Sequence, residues 1–194
     1  MTPEETQVLS VLDALERNNG ASQRDLSRAT GLNLAKVNFL LRKLAGKGHL
    51  KLRNVSANPN KLRYLYILTP RGIAEKSRLT MSFVQRTLTQ YGEILERLRR
   101  GLERLAAVGG RRVVLLGAND VADMVIEAAA GVEGIDIVAI VDPAHDGKER
   151  RGYRIVASFD GLAFDRIIPC DEAGPSVTEI AGRTGVEEER IWLV

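Results

Sequence analysis

Apolar residues recur along the first part of the chain at intervals of three and four, the spacing that lines one face of an α-helix. Val8, Leu9, Val11, Leu12 and Leu15 form such a stripe over residues 5–18, which Asn19-Gly20 brings to a stop. Ser22 stands where an N-cap belongs, ahead of a short helix over 23–29. After the turn Thr30-Gly31-Leu32, Asn33 is placed to cap a third helix over 34–47, with Leu34, Val37, Leu40, Leu41 and Leu44 pointing inward.

The period then changes. Over 49–55 and 62–68 the apolar positions alternate in part, with Leu50 and Leu52, then Leu62, Tyr64 and Tyr66, on one parity. Ser56 to Lys61, between them, is turn chemistry. The reading is a β-hairpin with a polar, basic tip. Thr69-Pro70 opens another helix, threonine as the cap and proline at the first helical position. A long helix follows over about 79–106. Its apolar residues Met81, Val84, Leu88, Tyr91, Leu95, Leu98, Leu102 and Leu105 are spaced 3, 4, 3, 4, 3, 4, 3. So narrow and regular a seam fits a partner helix, and the simplest partner is a second copy, giving a homodimer through residues 81–105. Gly92 and Gly101 flank the seam and would let backbones approach closely.

Val108-Gly109-Gly110-Arg111 marks a boundary, after which the pattern belongs to another class. Residues 112–117 and 135–141 are continuous apolar runs, as buried parallel strands are. A helix is expected over 119–130, a charged loop over 144–152, a strand over 153–157 and a helix near 159–163. A strand over 165–169, a helix over 175–184 and a final strand over 190–194 complete the series. The expected architecture is α/β overall. A winged helix-turn-helix domain occupies 1–78, a long coiled-coil-like helix 79–108, and a small Rossmann-like, doubly wound parallel sheet 111–194.

Charge sharpens this division. Residues 1–80 hold 14 Lys/Arg and 6 Asp/Glu, a net of +8, while residues 81–194 hold 14 and 19, a net of −5. A basic part joined to an acidic part points the basic part toward a polyanion, here double-stranded DNA. With the apolar stripe of the third helix turned in, Ala35, Lys36, Asn38, Phe39, Arg42 and Lys43 lie outward. Asn38 suits adenine, while Lys36 and Arg42 suit guanine or phosphate. Ser22, Gln23 and Arg24 open the preceding helix, where the dipole favours a phosphate. Asn58, Asn60, Lys61 and Arg63, near the hairpin tip, suit the backbone or the minor groove. The single cysteine, Cys170, permits no internal disulfide and suits the reducing cytoplasm. No apolar run approaches a membrane span, and the polar first residues offer no signal peptide.

Residues 22–26, 31–44, 47–51, 61–76 and 79–83 resemble the MarR-type winged-helix regulators associated with exopolysaccharide synthesis. The block from Lys61 to Thr80 (KLRYLYILTPRGIAEKSRLT) is the specific part, and the resemblance covers about residues 5–98. It implies a DNA-binding regulator of polysaccharide genes. The rest of the chain has no counterpart in that resemblance.

The second half offers one candidate site. The first strand ends in Gly117-Ala118-Asn119-Asp120-Val121-Ala122. Gly117 and Ala122 can serve as first and third positions of a dinucleotide fingerprint, but Asn119-Asp120 replaces the glycine expected between them. Asp142 ends the second strand, where an acidic group often holds a ribose hydroxyl. Gly117, Ala118, Asn119, Ala122 and Asp142 are therefore the candidate cofactor residues. Residues 112–142 resemble the Rossmann-like modules of nucleotide-sugar enzymes, which implies a nucleotide sugar or another nucleotide as ligand. No catalytic set and no metal-ligand spacing appear, since His49 and His145 are the only histidines. The domain reads as a metabolite sensor, as a ligand-free partner-binding domain, or as a residual enzyme. A regulator without enzymatic activity is expected. The alternative is a nucleotide-sugar-binding enzyme or accessory subunit that uses the winged helix for protein contact.

Overall fold

A computed structural model describes residues 1–18, 20–55, 63–170 and 176–193, the side chains of 53–55 and 63–65 excepted. The chain divides into two compact units, Met1–Thr89 and Gln90–Val194.

The first unit begins with α1 (Pro3–Arg17), α2 (Gln23–Thr30) and α3 (Leu34–Gly46). Each has a built start. Thr2 and Ser22 form capping boxes with Glu5 and Asp25, and Asn33 accepts the N–H of Lys36. Leu12, Leu26, Leu40 and Leu41 from the three helices are fully buried in one core, and Tyr66 from the hairpin joins them. Leu34, at the first turn of α3, is exposed rather than inward as its spacing suggested. The hairpin is β1 (Leu50–Val55) and β2 (Arg63–Leu68), antiparallel, with Leu50 opposite Leu68 and Leu52 opposite Tyr66. The turn expected over Ser56–Lys61 lies outside the described residues.

Helix α4 runs unbroken from Pro70 to Ala107, 38 residues where the sequence suggested two helices. Nothing between 70 and 107 supplies a cap or a proline to end it, so a nucleus once formed propagates. Thr69 caps it: its hydroxyl donates to the Gly48 carbonyl at 2.7 Å and accepts the Gly72 N–H at 3.1 Å. Gly72 has no alternative, since a Cβ there would lie 2.1 Å from the His49 carbonyl oxygen.

The seam of α4 is not one interface. Leu98, Leu102 and Leu105 are buried in the core of the second unit, with Leu95 packed against it, which corrects the expectation that the whole seam meets a partner helix. Met81, Val84 and Leu88 are 58%, 41% and 64% exposed.

The second unit is a five-stranded sheet built from β3 (Arg112–Leu116), β4 (Asp136–Val141), β5 (Glu149–Arg150), β6 (Tyr153–Val156) and β7 (Arg166–Pro169) in the order β5-β6-β4-β3-β7. All pairings are parallel except that of β5 with β6. Helix α5 (Asp120–Ala129) links β3 to β4, and α6 (Val177–Thr184) follows β7. Val113, Leu115, Ile140 and Ile168 share a core with Ala122, Val125 and Ala128 of α5 and with the end of α4. Two expected elements are absent. Residues 159–163 form no helix: Phe159 packs on Phe164 across a turn in which the Asp160 carboxylate accepts from the Ser158 hydroxyl. The final strand shrinks to one bridge of Ile191 to Ile167, because residues 188–190 wind into a 3-10 turn immediately before it.

Candidate nucleic-acid interface and the strand-end crevice

On α3 the outward residues fall on two edges. Asn38 and Arg42 lie one turn apart and, with Ala45, line an open groove of about 370 Å³. Gln23 of α2 and Leu52 and Tyr66 of the hairpin make its other walls. The Gln23 amide donates to the Tyr66 hydroxyl at 2.9 Å, tying the start of α2 to β2. Ala35 is exposed, one turn before Asn38.

The other edge is engaged differently. The Lys36 ammonium sits 5.3 Å from the centroid of the exposed Phe39 ring. Lys43 is ion-paired with Glu4 of α1, and that pairing holds the Glu4 carboxyl below its ordinary pKa. The six outward residues thus divide, with Asn38 and Arg42 on the groove and Ala35, Lys36, Phe39 and Lys43 outside its lining.

At the start of α2 the Asp25 carboxylate accepts from the Ser22 N–H and hydroxyl at 3.0 and 2.6 Å. A phosphate there would share the helix end with a carboxylate. Arg24 is exposed on the next residue. Asn58, Asn60 and Lys61 lie outside the described residues; Arg63 opens β2, and its side chain is likewise outside them. Leu52 and Tyr66 are the hairpin residues of the groove that sequence reasoning missed, as it missed Ala45 on α3. Alternation placed both on the hairpin's apolar parity, and one of them, Leu52, is 51% exposed on the groove.

The second unit carries a crevice of about 250 Å³ at the carboxyl ends of β3, β4 and β7. Gly117, Asn119 and Asp142 line it, together with Cys170, Ile180 and Arg183. Gly117 has φ +106°, a conformation that favours glycine. Asn119 caps α5 by accepting the N–H groups of Val121 and Ala122 at 3.0 and 3.1 Å, and its amide donates to the Cys170 carbonyl. Asp142 accepts the N–H groups of Ala118 and Ala144, each at 2.9 Å, and faces His145 Nδ1 at 3.0 Å. Burial works to raise the Asp142 carboxyl, and these hydrogen bonds overcome it, leaving its pKa below the usual value. Ala122 is fully buried, where a small residue lets α5 pack onto the sheet.

Arg150 is the residue of this region that the sequence did not reveal. Its guanidinium bonds to Asp123 at 2.7 and 2.9 Å, to Asp120 at 2.9 Å and to the Ala118 carbonyl at 3.1 Å. The acidic first turn of α5 is thereby tied to β5, 27 residues beyond Asp123. Burial pushes the Cys170 thiol up to about 12. Among the described residues no three His, Cys, Asp or Glu side chains gather as a metal site requires, and no helix is long and apolar enough to cross a membrane.

Residues 6–48 match the family described as winged helix-turn-helix DNA-binding, so the first unit carries a DNA-binding domain of that kind. No curated protein matches the chain. Similar solved structures include BpsR of Bordetella bronchiseptica, described for regulation of its DNA binding by 6-hydroxynicotinic acid. It is 24% identical over 44% of this chain and 60% of its own, with a TM-score of 0.39. The PcaV transcriptional regulator of Streptomyces coelicolor, in complex with its natural ligand, is 22% identical over 48% of this chain and 62% of its own, TM-score 0.41. The S. aureus MepR–DNA complex is 23% identical over 56% and 78%, TM-score 0.37. The chain thus spans about 60% of the length of BpsR.

Proposed function

We propose that the chain is a sequence-specific transcription regulator of the MarR type that acts in the cytoplasm as a homodimer and senses a small metabolite through its second unit. The observation that carries the DNA-binding part is the groove between α2, α3 and the hairpin. There Asn38 and Arg42 present hydrogen-bonding groups of the kinds that read adenine and guanine in the major groove. The exposed Met81, Val84 and Leu88 are the surface offered to a second copy. The Lys61–Thr80 block makes polysaccharide genes the first targets to examine. The crevice at the strand ends is where parallel α/β sheets bind ligands, which supports a sensor over a purely structural domain.

The test is binding of the full chain to its own upstream DNA and to scrambled DNA, across a salt series. Specific binding that weakens steeply with salt is expected, since each neutralised phosphate adds about −0.9 to the log–log slope. Arg42→Ala is expected to cost about 1–3 kcal/mol of discrimination on the specific site and little on scrambled DNA. Equal affinity for both DNAs would refute the reading in favour of a winged helix used for protein contact.

A further inference from the structure

The core of the first unit takes only aliphatic side chains from α3: Val37, Leu40, Leu41 and Leu44. Phe39, the only aromatic residue of the chain before Tyr64, stays on the outer face with 54% of its surface exposed. Among the described residues it belongs to neither apolar core, so a polar side chain at 39 would serve the fold as well. Single apolar residues on a surface are ordinary. What distinguishes this one is its setting.

Residues three and four positions away on a helix share its surface. For Phe39 these are Ala35, Lys36, Arg42 and Lys43, so three of its four neighbours are cations. The Lys36 ammonium stands 5.3 Å from the ring centroid, close enough for a cation–π attraction, so a cation rather than the core steadies the ring. Ala35, one turn earlier, is exposed and adds no bulk that would hold a docking surface away. A polyanion drawn to these cations covers the ring as it settles. Duplex DNA has one apolar group on a base edge that can meet such a ring in the major groove, the C5 methyl of thymine. Asn38 and Arg42, on the same face of α3, offer only hydrogen bonds.

We propose that Phe39 is a specificity-determining residue that reads thymine, its exposed ring meeting the C5 methyl beside the bases met by Asn38 and Arg42. The inference rests on the DNA-binding reading and adds to it a contact made by apolar shape.

The test is fluorescence-anisotropy titration of the full chain at one salt concentration against three labelled duplexes. These are its upstream DNA, the same DNA synthesised with uracil for every thymine, and a scrambled thymine duplex. Uracil pairs as thymine does and lacks only the C5 methyl. The unaltered chain is expected to bind the uracil duplex about fourfold more weakly or worse, the factor that burial of one methyl group supplies. Phe39→Ala is expected to weaken binding to the thymine duplex by a similar factor and to bind the uracil duplex equally well. Phe39→Leu, which keeps an apolar group at the site, is expected to retain a preference for thymine. Equal binding of the thymine and uracil duplexes by the unaltered chain would overturn the inference and leave the regulator reading standing. A uracil penalty that persists undiminished in Phe39→Ala would assign the methyl contact to another residue and overturn the role of Phe39. No preference for upstream over scrambled DNA would refute the regulator reading, and the inference with it.

Discussion

From Met81 to Leu88 the seam of α4 stands in the open, whereas from Leu98 to Leu105 the same seam is sealed inside the second core. Both stretches follow the same alternation of three and four. The difference lies in what the chain brings up against them. Val113, Leu115 and Ile168 arrive from the sheet to cover the later turns, while the earlier turns belong to the first unit, whose core closes around Leu79 and goes no further along the helix. Spacing declares that a helix has an apolar stripe; it does not say whose surface will cover it.

Substitutions at the two ends should separate them. The largest effect is expected for Leu102→Asp, which puts an unpaired carboxylate in a fully buried site at a cost of about 4 kcal/mol or more. The melting transition of the second unit should fall by more than ~10 °C in calorimetry, and an unchanged curve would show that Leu102 is not in that core. Next comes Met81→Asp with Leu88→Asp. Both sites are exposed, so the folded chain should lose no more than about 0.5 kcal/mol. Sedimentation equilibrium should nonetheless report a dissociation constant at least about tenfold higher, a loss near 1.4 kcal/mol. A dimer as tight as before would move the interface elsewhere. The smallest effect is expected for Gly92→Ala. A methyl there meets nothing within 4 Å, so helix propensity should add up to about 1 kcal/mol to chemical-denaturation stability. If the variant instead weakened the dimer, Gly92 would be a point of close backbone approach between copies.

Much of the first unit was legible because its signals are local. The caps Ser22 and Asn33, the stripes of α1 and α3, and the Thr69-Pro70 start all lie within a few residues of what they control. The strand runs 112–117 and 135–141 were legible for the same reason. What stayed hidden depends on partners far along the chain. Lys43 is ion-paired with Glu4, 39 residues earlier. Asp142 is spoken for by Ala118, 24 residues earlier, and Asp120 is bonded to Arg150, 30 residues later. The fingerprint was visible as a spelling, but the use of its amides was not. The helix expected near 159–163 failed for a local reason: five residues are too few to nucleate a helix alone, and Asp160 and Gly161, the latter at φ +72°, form a turn there.

Cys170 gives this molecule a clock. It is the only thiol in the chain, it lies fully buried where β7 ends, and that burial pushes its pKa up to about 12, so the thiol form prevails at neutral pH. A thiol reagent in solution therefore waits for the sheet to part before it can react. The pace of that reaction counts the openings of the second unit and leaves the first unit silent. Anything that settles in the crevice beside it would slow the count, without a label having been attached.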